Sequence, residues 1–182
     1  DTPFFEDDLK EIVRARPHSL RLPKSESKAS ILDFIELLEK AEEEAKLDYQ
    51  IQISPILETV VGVSRAEEIA SAHPRVTALS FGAEDFTRDL GTKRSKEGSE
   101  LRHARGAMVL AAKASGIAAL DTVYPDVSDE EGLIEETRQV KQLGFDGKSV
   151  IHPNQIAPVH RVFRPSEGEI EEALEIEKAL EE

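Results

Sequence analysis

The chain has 182 residues, 39% of them apolar and none of them Cys or Trp, enough for one compact domain whose core is built from Leu, Ile, Val and Ala. Its 37 acidic against 23 basic side chains give a formal net charge of −14, a surface that repels phosphate backbones and argues against nucleic-acid binding. No apolar run approaches the roughly 20 residues that span a bilayer, and no signal-peptide pattern opens the chain, so no membrane association is expected.

Zero Cys removes disulfides, thiolate metal sites and a Cys nucleophile, which fits a cytoplasmic location. Any metal site must then use oxygen or imidazole ligands, and an acid-rich chain suits a hard cation such as Mg²⁺.

In chain order, "DTPFFEDDLKEIVRA" (1–15) reads as a loop and then a helix, with no strand ahead of it. "HSLRLP" (18–23) predicts a strand, and the stretch 27–46 predicts a helix with Ile31, Ile35, Leu38 and Ala45 on one face. "IQISPILET" (51–59) is the second strand, and Ser64-Arg65-Ala66-Glu67 reads as a capping box opening a short helix. "RVTALSFG" (75–82) is the third, followed by a longer loop and a helix whose apolar face is Leu101, Ala104, Met108 and Ala111. "GIAALDTVY" (116–124) is the fourth, with Ser128-Asp129-Glu130-Glu131 as a second capping box opening a helix through Leu143. "GKSVIHP" (147–153) is the fifth, and Ser166-Glu167-Gly168-Glu169 caps a final acidic helix. Gly116 and Gly144 stand where helices must stop before the next strand.

Strands apolar on both faces, alternating with helices, predict a parallel sheet covered by helices. No GxGxxG or GxxxxGK[ST] follows any strand, which weakens the nucleotide-binding open sheets. The polar signals gather instead at strand C-termini: Lys24, Glu58, Glu84 with Asp85, Asp121 and His152. Side chains from several strands converging on one mouth are the habit of the (β/α)₈ barrel. The expected fold class is therefore α/β, of (β/α)₈ TIM-barrel type, with about five of the eight units in this chain. Residues 1–165 are expected to form a partial catalytic domain lacking its first three strands, and 166–182 a C-terminal acidic helix. A chain of this class that starts on a helix is expected to be a fragment.

The blocks "LPKSES", "ILETVVGV", "ALSFGAEDFTRDLGTKRS", "AALDTVYPDVSDEEGL", "LGFDGKSVIHPNQI" and "VFRPSEGEIEEA" resemble, in order and with natural spacing, the citrate lyase β-subunit (citryl-lyase) family of the HpcH/HpaI aldolase/citrate lyase superfamily. The resemblance implies a Mg²⁺-dependent carbon–carbon lyase on a modified TIM barrel. The substrate is a citryl thioester, carried on CoA or on the phosphopantetheine-type arm of an acyl carrier protein, and the products are an acetyl thioester and oxaloacetate. It also implies partners, a transferase α subunit and an acyl-carrier γ subunit, and a homo-oligomer, trimer or larger. Three strands, a substrate-clamping Arg and an acidic position lie upstream of Asp1 in that family, and a C-terminal segment lies beyond Glu182. A free-standing lyase of malyl- or citramalyl-CoA is the alternative, and a non-catalytic fragment or interaction subunit is a third reading.

By resemblance Glu58, ending "PILE", and Asp85, in "GAED", are the metal ligands and catalytic carboxylates, with Glu58 also touching substrate. Two carboxylates suit Mg²⁺, which keeps water and substrate in its remaining octahedral positions. Without the resemblance, Glu58 is an acid entering a helix N-terminus and Asp85 a turn residue bonding its own backbone. Neighbours in extended chain point to opposite sides, so Glu84 is expected to face the loop or pair with a base such as Arg88. Lys24 either binds substrate at the mouth or is a plain salt-bridge lysine. Arg88 and Arg94, with Lys93, either meet the phosphates of CoA or a carrier arm or decorate a solvated loop. Asp121 and His152 read as structural.

Overall fold

The structure, a computed structural model, describes residues 4–181; the readings of residues 1–3 and 182 lie outside the described residues. Strands β1 (Ser19–Leu22), β2 (Gln52–Leu57), β3 (Ala78–Phe81), β4 (Ala118–Asp121) and β5 (Gly147–Lys148) lie side by side in chain order, every neighbouring pair parallel. Parallel neighbours need long crossovers. These are α2 (Lys28–Glu44), the short pair α3 (Val60–Ser64) and α4 (Ala66–Ala70), then α5 (Ala83–Asp89) with α6 (Arg102–Ala114), and α7 (Glu130–Leu143). Helix α1 (Phe5–Arg14) precedes the sheet; α8 (Ile156–Phe163) and α9 (Glu167–Glu181) follow it.

Local sequence explains most of these boundaries. Ser27, in extended backbone, caps α2 by accepting from Ser30 N–H at 3.1 Å, and Ile31, Phe34, Ile35, Leu38 and Ala41 form its buried stripe. Gly144 ends α7 at φ 102°, a left-handed cap that favours glycine. Ser166 and Glu169 form the expected reciprocal capping box of α9, with Glu169 N–H to Ser166 Oγ at 3.2 Å and Ser166 N–H to Glu169 Oε2 at 2.7 Å.

Two other capping boxes are corrected. Ser64 ends α3 instead of opening a helix, its hydroxyl donating to Val61 C=O at 2.8 Å. The cap is Thr59, which accepts from Gly62 N–H at 3.0 Å immediately after the strand. At 128–131 the cap is Asp129, accepting from Gly132 N–H at 2.9 Å, while Ser128 bonds Asp126. The fifth strand ends at Lys148 and is shorter than expected; further on, Pro153 opens a 3₁₀ turn, with His152 Nδ1 accepting from Asn154 N–H. The loop after the third strand contains α5, so Glu84 and Asp85 occupy the first turn of a helix, not extended chain.

The two faces of the sheet differ in chemistry. Ile51, Ile53 and Leu57 alternate with Ser54, Ile56 and Glu58 along β2, and Leu79 and Phe81 alternate with Ser80 and Gly82 around β3. The first set belongs to the main apolar core beneath the helices, together with Ile31, Leu38, Ile69, Leu101 and Met108. The second set faces away from the helices, where Ser54 and Ser80 share a buried hydroxyl–hydroxyl bond of 2.8 Å.

That polar face is concave. β1 and β5 are opposite edges of the described sheet, which in a flat sheet stand roughly 19 Å apart at about 4.8 Å per strand. Yet Arg21 on β1 donates to Ser149 Oγ, just past β5, at 3.0 Å. Only a strongly curled sheet brings those edges within one arginine side chain, and curling of this kind is what closes parallel strands into a barrel. The fold is α/β, a barrel-like arc of five parallel strands alternating with helices.

Candidate active site

At the strand C-terminal end of the concave face is a hollow of about 230 Å³ lined by Arg21, Ile56, Glu58, Ser80, Gly82, Glu84, Asp85, Thr122 and Ser149, among others. Glu58 follows the last residue of β2, and its Oε1 accepts from the Lys24 backbone N–H at 2.8 Å. Lys24 takes φ 49° in the turn after β1, a left-handed conformation uncommon outside glycine. It meets Glu58 through its main chain, while its side chain is exposed.

Gly82 lets the next strand approach. A Cβ at this position would stand 2.6 Å from Glu58 Cβ and 2.8 Å from its Oε2. Gly82→Ala is accordingly expected to displace Glu58 and destabilise the protein by about 1–3 kcal/mol, the usual range for overpacking. Gly106→Ala is the control, because no atom lies within 4 Å of its added methyl. Denaturant midpoints of the two variants check the difference.

Asp85 lines the same hollow from the first turn of α5. Arg88, one turn on, pairs with it at 2.8 Å, but that guanidinium is 79% exposed, so the pair is weak and easily exchanged. Glu84 pairs not with Arg88 but with Arg94, at 2.6 Å. Among the described residues no three His, Asp or Glu side chains gather into a ready metal cage. Of the three carboxylates on this hollow, Glu84 is taken up by Arg94, and the other two fit a hard cation that keeps most of its water and takes substrate oxygens. Such an ion would be held by Glu58 and Asp85.

Beside this hollow lies a larger cleft of about 640 Å³, lined by Arg88, Lys93, Arg94, Lys96, Thr87, Thr92, Ser95 and Tyr124, together with the acids Glu84, Asp126, Asp129 and Glu136. Arg94 turns inward, its side chain 8% exposed between Glu84 and Glu136. Lys96 pairs with Asp129 at 2.8 Å, and Tyr124 donates to the same oxygen. The hydrogen bond from Lys96, then those from Gly132 N–H and Tyr124, holds the Asp129 carboxyl down to about 2. Burial and the Asp129 bond push the Tyr124 phenol up to about 12.

On the opposite, helix-covered face the same end of the sheet carries a buried ion network. Lys148 on β5 meets Asp121 of β4 at 2.7 Å and Glu136 of α7 at 2.6 Å. Arg105 of α6 forms a two-toothed bond to Asp121, at 2.9 and 3.0 Å, and reaches Glu136 at 3.2 Å. Arg94 joins Glu136 to Glu84. Burial pushes the Glu136 carboxyl up, but Lys148, Arg105 and Arg94 together hold it below the usual carboxylate range. Burial likewise opposes charge on Arg105, and Asp121 with Glu136 raises it above the ordinary value.

Of the residues singled out in the sequence, Glu58 and Asp85 share one hollow, Arg88 and Arg94 share the neighbouring cleft, and Lys24 meets Glu58. Asp121 lies behind the sheet, and His152 caps a turn. Arg105, Glu136 and Lys148 were overlooked. The signal was a charge in phase with an apolar stripe: Arg105 beside Ala104 and Met108, and Glu136 between Leu133 and Val140.

A curled parallel α/β sheet with carboxylates at its C-terminal rim defines a barrel-type enzyme class, whose sites are built there. The sequence matches the HpcH/HpaI aldolase/citrate lyase family over residues 1–153. The chain belongs to this family. It is 42% identical over its whole length to citrate lyase subunit beta of Leuconostoc mesenteroides subsp. cremoris, of which it covers 61%. It is 38% identical over 97% of its length to mitochondrial citramalyl-CoA lyase of Homo sapiens, covering 55% of that protein. Among solved structures, the citrate lyase beta subunit complexed with oxaloacetate and magnesium from M. tuberculosis superposes with a TM-score of 0.75 at 33% identity, over 90% of this chain and 69% of that one. The chain thus spans about three-fifths of the length of the beta subunit it matches.

Proposed function

We propose that this chain supplies the metal-holding part of a Mg²⁺-dependent lyase that splits a citryl thioester into an acetyl thioester and oxaloacetate. The observation that carries this reading is the pair of carboxylates, Glu58 and Asp85, opening onto one hollow at the strand C-terminal end. A relative's structure that contains both oxaloacetate and magnesium supports it.

Held by Glu58 and Asp85, a divalent ion would supply positive charge against the negative charge that develops on a substrate oxygen. The chain's own part is to fix the acids in advance. The Lys24 N–H orients Glu58 through Oε1, Gly82 admits the carboxylate, and α5 presents Asp85. The Lys24 side chain is exposed, on the residue whose N–H binds Glu58, and would suit a substrate carboxylate. Arg88 and Lys93 on the adjacent cleft, with Arg94 at its wall, suit the phosphates of CoA or a carrier arm. The whole protein then acts in the cytoplasm as the β subunit of citrate lyase, beside transferase α and acyl-carrier γ subunits and in a homo-oligomer. The 38% identity to a citramalyl-CoA lyase favours a second reading, a free-standing CoA-thioester lyase.

Full-length protein offered citryl-CoA, malyl-CoA and citramalyl-CoA separates these. Oxaloacetate release from citryl-CoA, abolished by a chelator and restored by Mg²⁺, is the expected result. Preferential release of glyoxylate or pyruvate from the other thioesters would select the free-standing lyase, and no product from any of them would sink both.

A further inference from the structure

We propose that Glu84 and Arg94 are positioning residues, a strut that sets the rotation of α5 and so aims Asp85 into the hollow; the proposal rests on the reading of Asp85 as a metal ligand. α5 has only seven residues, too few to be rigid by itself. It is held at its start by Ala83 N–H donating to Thr122 Oγ1 at 3.1 Å, and at its end by Asp89 accepting from Val60 N–H at 2.7 Å. Those two bonds lie at opposite ends of the helix and leave its rotation to the side chains in between.

Phe86, buried against Phe81 at 5.4 Å between ring centres, provides a greasy and adjustable contact. The Glu84–Arg94 pair at 2.6 Å is the directional one. Arg94 is itself fixed, because its other nitrogen meets Glu136, which Lys148 and Arg105 anchor to β5 and α6. Successive helical residues stand about 100° apart, so any roll that releases Glu84 swings Asp85 by the same angle. The strut also accounts for two adjacent acids at this turn. Both line the hollow, but Glu84 is tied to the buried guanidinium of Arg94, whereas Asp85 has only the exposed and easily exchanged Arg88. Glu84 is 54% exposed, and Arg94, though only 8% exposed, keeps Glu136 as a partner when the bond is lost, so the effect on stability is small and the aim of Asp85 is what should change.

Mg²⁺ titration calorimetry on the full-length protein tests this with Glu84→Asp and Glu84→Gln, alongside Asp85→Asn and Glu58→Gln. Glu84→Asp keeps the charge but is one methylene too short for Arg94. Both Glu84 variants are expected to bind Mg²⁺ roughly 10-fold more weakly, the typical loss for a residue that orients a metal ligand, at unchanged melting temperature. Wild-type affinity in Glu84→Asp, or a loss that tracks a lowered melting temperature, overturns the strut even if the ligand variants lose the ion. Undiminished binding in Asp85→Asn and Glu58→Gln is a different failure. It removes the metal reading and leaves the strut nothing to aim.

Discussion

Lys148→Met is expected to destabilise the protein by about 3–5 kcal/mol, the range for removing one member of a buried ion pair. The Lys148 side chain is fully buried, as is that of Asp121, and Glu136 is 8% exposed. With the ammonium gone, Asp121 and Glu136 share Arg105 alone, apart from the more distant Arg94 at 3.3 Å from Glu136. Two nearly solvent-free carboxylates then lack the cation that offset their desolvation. Lys113→Met is the comparison: its pair with Asp146 is 48% and 42% exposed, and its loss should fall within about 0–1 kcal/mol.

Acid acts on the same network. Glu136 is held below its ordinary range in the folded protein, so as pH falls the unfolded chain takes up the proton first. The stability this group contributes is complete above the unfolded value of about 4.3. It disappears as pH drops through that value toward the lower folded one. The gap in denaturation midpoint between wild type and Lys148→Met should therefore narrow in acid. A variant within 1 kcal/mol of wild type at neutral pH, or a gap that widens in acid, would contradict the assigned network.

Glu58→Gln and Asp85→Asn are each expected to weaken Mg²⁺ binding by more than about 100-fold, above the range seen for residues that merely orient ligands. Both substitutions keep size and remove charge. Glu58 is anchored through Oε1 to the Lys24 N–H, an amide oxygen can still accept that bond, and the fold should survive. Product release should fall with metal affinity and recover in part at high Mg²⁺ if the ion can still be driven in. Retained affinity in either variant would take that carboxylate out of the site.

The strands were legible because each combines an apolar run with a following turn and helix; their expected apolar lining on both faces is corrected, since Ser54, Glu58 and Ser80 give one face a polar lining. The rule that parallel strands deliver their C-terminal ends to a common rim put Glu58 and Asp85 there together with Lys24, Glu84, Asp121 and His152; it is the family resemblance that singles out these two as a pair. In sequence "AEDFTRD" reads as part of a longer loop, with Glu84 and Asp85 in extended chain, and so α5 is missed. Its two acids in the first turn and Arg88 in the last are in fact the charge order that the helix macrodipole favours. The network was missed for a deeper reason. A charged residue in a helical stripe reads as solvated until its partners are known, and Arg105, Asp121, Glu136 and Lys148 lie on four separate elements. The capping sites at 59 and 129 lost out to nearby serines in sequence, yet in space only one side chain at each helix start reaches a free N–H.

The contrast between the two halves of the arc has a thermal consequence. Water's hold on charged groups loosens on warming, while the gain from sequestering hydrocarbon levels off. The β4–β5 half, clamped by the network of Lys148, Asp121, Arg105 and Glu136, should thus resist heat better than the β1–β2 half, where aliphatic packing is joined, among the described residues, by the single buried pair of Arg75 with Glu42. Melting is expected to begin at the edge strand Ser19–Leu22 and to reach the lysine-bearing edge last.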